Sequence, residues 1–159
     1  MTNYDKLFAE AKASSERARQ VKLEKEERQA TEKAEILQAA IGILNDRFRS
    51  YLEKASETLA RNSINANVSD NFSRTSVEDE RQTPEDPRLS LNVYDDNRPT
   101  LRAFLEIALI ITRNTSDTAE FKLYRKGSEP KKMRIVLLDS SAESILNGLV
   151  KELFLSVTR

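Results

Sequence analysis

The sequence predicts an α+β fold: a long N-terminal helix, a four-stranded antiparallel meander, and a C-terminal helix packed with the N-terminal helix on one sheet face. Three observations predict it. Residues 2–62 hold no Pro and one Gly and are rich in Ala, Glu, Lys, Arg, Gln and Leu, the strongest helix formers. Residues 88–138 contain four runs in which apolar and polar side chains alternate, separated by turn residues. The final stretch returns to helical period, with Ala142, Ile145, Leu146, Leu149, Val150, Leu153, Phe154 and Val157 on one broad face.

The first segment, residues 1–33, reads as a charged helical arm. It carries eight basic and seven acidic groups, and its apolar content is thin apart from Tyr4, Leu7, Phe8 and Ala11, which share one face. Helicity here rests on propensity and on spaced pairs such as Lys6–Glu10 and Glu24–Arg28, each contributing roughly 0.2–0.5 kcal/mol at best. Residues 34–62 differ. Leu37, Ile41, Leu44, Phe48, Tyr51, Leu52, Ala55 and Leu59 recur at spacings of three and four, the stripe of an amphipathic helix that packs on the domain. The same spacing suits a coiled coil. A continuous helix over 2–62 would run about 90 Å at 1.5 Å per residue, against roughly 25 Å across a domain of seventy residues, so the arm is expected to project.

Residues 63–87 shift to Asn, Ser, Thr, Asp and Glu and read as an acidic flexible linker, with the piece around 67–73 able to lie on the domain as an irregular strand. The acidic run Glu78, Asp79, Glu80, Glu85 and Asp86 is broken by Pro84 and lacks the spacing of a calcium loop, so solvation explains it better than a metal does. Residues 88–159 form the sheet and the last helix. Leu89, Leu91 and Val93 mark the first strand, and Asp95 to Pro99 supply turn chemistry. In 101–113, Leu101, Ala103, Leu105, Ile107, Leu109 and Ile111 fall on one face, which makes this the core strand and Ile107 its buried centre. Ala119, Phe121 and Leu123 mark the third strand; Met133, Ile135 and Leu137 mark the fourth. Ser140 and Glu143 stand at capping-box spacing before the last helix. The other sheet face, with Tyr94, Phe104, Ile110, Tyr124, Val136 and Leu138, is more apolar than a solvated face should be, so the N-terminal arm or another chain is expected to cover it.

The chain has no Cys and no His, which removes disulfides, thiolate chemistry, the commonest transition-metal ligands and the commonest general base. No catalytic residue, cofactor or metal is expected, and the chain is read as a non-enzyme. Glu106, mid-strand among apolar neighbours, is expected to pair with Arg102, Arg113, Lys122 or Arg134. Gly42 and Gly148 lie inside helical patterns, where close helix approach would explain them. Lys plus Arg balances Asp plus Glu at 26 each, so charge-driven binding must be regional. The basic region is the last hairpin, where Lys122, Arg125, Lys126, Lys131, Lys132 and Arg134 surround a Gly-Ser-Glu-Pro turn beside Tyr124, a candidate anion-binding cluster. Lysines at strand ends also keep sheet edges from pairing.

These features favour a protein-protein interaction module, an adaptor, chaperone or assembly component that self-associates or binds a protein partner through the arm residues Tyr4, Leu7, Phe8 and Ala11 and through the partly apolar sheet face. A nucleic-acid partner at the basic hairpin is the second expectation. The N-terminal residues show no basic flank followed by an apolar run, and no stretch suits a membrane helix, so a cytoplasmic location and no membrane partner are expected.

Overall fold

The computed structural model describes residues 2–73, 86–95, 100–112, 115–137 and 141–158. The acidic run at 78–85, most of the expected 95–99 turn, and Arg113, Leu138 and Ser140 lie outside them. The chain divides into two compact units, Met1–Glu35 and Ile36–Arg159.

Helix α1 spans Asn3–Ile43. Its first turn is fixed by a reciprocal cap: the Asp5 amide donates to the Thr2 hydroxyl oxygen at 3.4 Å, satisfying a group a helix start leaves open, and the Thr2 hydroxyl and amide donate back to the Asp5 carboxylate, at 2.7 and 3.2 Å. Those bonds hold Asp5 below its usual pKa. Every described residue of the first unit is exposed.

The second unit carries the core. After α1 comes a π-helical turn, Leu44–Arg49, and then α2, Ser50–Arg61. The buried positions run Ala40, Leu44, Phe48, Leu52, Ala55 and Leu59. Steps of four residues walk a stripe about 40° around a regular α-helix each time. The π turn, with its longer i→i+5 ring, takes back part of that drift and keeps Leu44, Phe48 and Leu52 over the sheet. The expected stripe is therefore corrected at two kinds of position. Leu37 and Ile41 are only half-buried and Tyr51 is exposed, while Ala40, absent from the expected stripe, is fully enclosed.

Helix α2 ends in a paired cap. The Ile64 amide donates to the Leu59 carbonyl at 2.9 Å and the Ser63 amide to Ala60 at 3.0 Å, with Ser63 at φ +62°, where Gly is usual.

The sheet has five strands, not four: β1 Ala66–Asp70, β2 Arg88–Tyr94, β3 Leu101–Thr112, β4 Thr115–Arg125 and β5 Lys131–Val136, antiparallel in the order β1-β2-β3-β4-β5. The extra strand falls inside the expected linker. Its signal is weak because, of the three side chains that face the helices, only Ala66 and Val68 are apolar, opposite Val93 and Leu91 of β2, and the third is Asp70. An edge strand with one partner and a polar outer side can be short and hydrophilic.

Period two sorts the rest. Leu89, Leu91 and Val93 of β2, Leu105, Ile107 and Leu109 of β3, and Ala119, Phe121 and Leu123 of β4 are buried on one face. Leu91, Leu105 and Leu123 lie in register across three strands, as do Leu89, Ile107 and Phe121. Against this face lie α2, the π turn and α3, Ala142–Val157. Phe48 meets Phe121 edge-on at 6.0 Å, which locks the π turn to the sheet centre. Ile107 is fully enclosed, as expected.

Two polar ties bracket Phe48. Arg47 donates from Nε and Nη2 to Glu143 of α3, at 2.8 and 2.6 Å, and from Nη1 to the Leu137 carbonyl at 3.1 Å. Arg49 donates to Asp70 of β1 at 2.7 Å. The π turn is thus fastened to the last helix on one side and to the edge strand on the other. This changes the expected capping box: α3 begins at Ala142, and the Glu143 carboxylate is engaged by Arg47.

The glycine reading is also corrected. A Cβ at Gly42 or Gly148 would meet nothing within 4 Å, so neither marks a close helix approach. Gly127, at φ +85° in the β4–β5 hairpin, is where the backbone requires glycine.

Candidate functional site

The six hairpin cations do not form one cluster. Register assigns them to different faces. Lys131 lies opposite Leu123, on the helix side, and pairs with Glu152 of α3 at 3.0 Å. Arg125 lies opposite Ala103, also on that side. Lys126 turns to Asp95 at 3.6 Å. Lys122, Lys132 and Arg134 stand on the open face, and Arg134 pairs with Glu120 at 3.0 Å. An antiparallel hairpin sends alternate side chains to opposite faces, which a run of cations read along the sequence does not reveal.

The open face, away from the helices, is where these cations meet aromatic residues. Phe104 and Tyr124 are register partners on β3 and β4, with ring centroids 5.1 Å apart and planes 21° from parallel. The Lys122 ammonium lies 5.6 Å from the Phe104 centroid. Asn92 of β2 continues this line beside Phe104 and donates to Asn67 and Ser69 of β1, at 3.2 and 2.8 Å. Toward the other end of the strands, Arg88, Glu106, Glu120, Lys122 and Lys132 rim a shallow basin of about 290 Å³.

Glu106 pairs with Arg88 at 3.8 Å, a partner not among those expected from the sequence. Arg88 is opposite Ala108, one diagonal step from Glu106, and belongs to a strand whose offset is fixed only by pairing. Among the described residues, Arg102, Lys122 and Lys132 make no ion pair.

The most engaged carboxylate is structural. Asp70, with a side chain 7% exposed, accepts from Arg49, from the Phe72 and Ser73 amides, and from the Ser73 hydroxyl. Burial pushes its carboxyl up, but the bonds from Ser73, Arg49 and Phe72 outweigh it and hold the pKa below the usual range. The Arg47 hydrogen bonds likewise hold Glu143 low, against a smaller push from burial. Both groups brace elements around the π turn. Among the described residues no three His, Cys, Asp or Glu side chains are grouped to hold a metal ion.

The arm residues Tyr4, Leu7 and Phe8 are 82%, 58% and 73% exposed. Val21 and Leu23, at 63% and 53%, join them farther along the helix. In the sequence, Val21 and Leu23 stand among scattered alanines and charged residues, too sparse to bury much surface. No described helix is long and apolar enough to cross a membrane. The chain matches no model of a known protein family, no curated protein and no solved structure.

Proposed function

We propose that this protein is a non-enzymatic interaction module that self-associates through its N-terminal arm. The observation that carries the reading is the exposed apolar face of that arm. Starting at Tyr4, steps of three and four residues pass through Leu7, Ala11, Ser14, Ala18 and Val21, and the next positions in the series, Lys25 and Arg28, are charged. A seam that stops being apolar at a defined point has the length of a pairing surface, about 27 Å by helical rise.

The occupant that suits this seam is a second copy running antiparallel. In that arrangement Tyr4 packs opposite Val21 and Leu7 opposite Ala18, each larger residue against a smaller one, while the small Ala11 and Ser14 meet at the centre. Glu10 then flanks Arg17 of the second copy, twice by symmetry. A parallel pair would instead stack Tyr4 on itself, leave the small residues facing each other, and set Arg17 beside Lys22 of the second copy. The absence of His and Cys supports the non-enzymatic part of the reading.

Sedimentation of the full chain over a concentration series tests this. Dimerisation is expected, weakened by Glu10→Arg or Arg17→Glu alone and restored when both changes are in one chain. A monomer at every concentration, or single charge reversals without effect, would defeat the reading.

A further inference from the structure

We infer that the open sheet face binds single-stranded nucleic acid, with bases stacking on the Phe104–Tyr124 pair and phosphates held by Arg102, Lys122 and Lys132. This site is separate from the arm and does not depend on self-association.

Three features of one surface converge on that ligand. The first is the ring pair. Two aromatic side chains on neighbouring inner strands, stacked at 5.1 Å, face away from the helices that fill the other side of the sheet. Both are half-buried, so each has a fixed orientation and an accessible part, which is what a stacking platform requires. The second is charge. Five cations, Arg88, Arg102, Lys122, Lys132 and Arg134, share this face with three carboxylates, Asp86, Glu106 and Glu120; Glu106 and Glu120 are committed to Arg88 and Arg134, and Asp86 accepts from the Ile111 amide. Arg102, Lys122 and Lys132 remain for an anionic partner, although the chain as a whole is neutral. The third is the polar margin. Asn92, Asn67 and Ser69 continue the line of the rings onto β1, offering amides and a hydroxyl where the edges of splayed bases would lie.

The same features disfavour other occupants. A protein-docking face would present contiguous apolar area, whereas here Tyr94, Phe104, Ile110, Tyr124 and Val136 are interleaved with charged side chains. A duplex hides its base faces in the stack, so the rings would contribute nothing to holding it. Free phosphate would not need the rings at all.

The test is fluorescence-anisotropy titration of the full chain with 5′-labelled oligo-dT and oligo-U of twenty nucleotides, beside a duplex of equal length, from 50 to 200 mM salt. Single strands are expected to bind in preference to duplex, with a log-log salt slope of about −2, as three phosphate contacts on a single strand give. Tyr124→Ala is expected to weaken binding about 5- to 160-fold, the range associated with one stacked base. Lys132→Gln, on an exposed position of β5, is expected to flatten the slope by about 0.7. Thermal unfolding of each variant separates lost binding from lost fold, and Lys132→Gln carries the test if Tyr124→Ala unfolds. A preference for oligo-U or for oligo-dT supports the site and identifies the strand. Equal affinity for duplex overturns the proposal. So does absence of binding at 50 mM salt, or loss of binding on Lys131→Gln with none on Lys132→Gln, which would put the contact at the hairpin tip. A Tyr124→Ala variant that binds no oligonucleotide differently yet changes sedimentation would make the face a contact between copies, and overturns it too.

Discussion

Leu23 and Leu52 are both leucines within helices, yet one is 53% exposed and the other fully enclosed. The contrast holds across the two units. In Met1–Glu35 the helix is written by propensity and a capped first turn; in Ile36–Arg159 it is written by a stripe that has a sheet to cover. Helix propensity is additive and local, a few tenths of a kcal/mol per residue. Burial of a leucine side chain contributes about 1.5–3 kcal/mol, and only where neighbours remove it from water. Secondary structure is therefore shared between the two units, and the source of stability is not. Exposure divides along the same line: the described apolar side chains of the arm are open to solvent, and the domain buries most of its own in the core.

The comparison breaks most sharply at the sheet centre. Ile107, enclosed between Leu89 and Phe121 in register, should cost about 2–5 kcal/mol on replacement by Ala, because the close-packed surroundings cannot collapse onto the space. Urea unfolding followed by circular dichroism at a wavelength sensitive to strand reads this directly. A loss below about 1 kcal/mol would mean that β3 is not the core strand.

The polar fastening of the domain is the next largest effect, and pH isolates it. The folded pKa of Asp70 is lowered, so its contribution is fully present above the ordinary carboxylate value near 4 and is lost as pH falls through the depressed folded value. Asp70→Asn should destabilise the domain by about 1.5–3 kcal/mol at neutral pH, the range for charge-assisted hydrogen bonds. The gap between variant and wild type should narrow as pH falls below the ordinary carboxylate value and through the depressed folded one. A gap constant from pH 7 to pH 2 would show that the carboxylate charge is immaterial.

Sequence patterning captures the helices, four of the strands and the identity of the core strand, because each is a periodic signal longer than its noise. What escapes it depends on pairing. β1 is short and polar on one side; only its register against β2 makes it a strand. The π turn is invisible because its residues are ordinary helix formers, and only the burial of Phe48 between Arg47 and Arg49 shows why the winding changes. The candidate site shows the same limit. Tyr124 and the basic residues of 122–134 are legible, but their assignment to two faces is not, and Phe104 gains its meaning only as the register partner of Tyr124.

The smallest expected effect lies in the arm, and there smallness is the informative outcome. Leu23 is 53% exposed and lies off the Tyr4–Val21 seam, on the far side of the helix. Leu23→Ala removes side-chain surface that water already reaches and substitutes a residue with equal or better helix propensity. Domain unfolding should shift by less than about 0.5 kcal/mol, the usual range for surface changes, and the sedimentation profile should be unchanged. Leu7→Ala, in the seam, should leave domain unfolding equally unmoved while reducing the fraction of dimer. The pair therefore separates two kinds of exposure: apolar surface that is only tolerated, and apolar surface that is held for a partner. If Leu23→Ala cost more than about 1 kcal/mol, the far side of the arm would be enclosed by something, and the division of labour between arm and domain would fail.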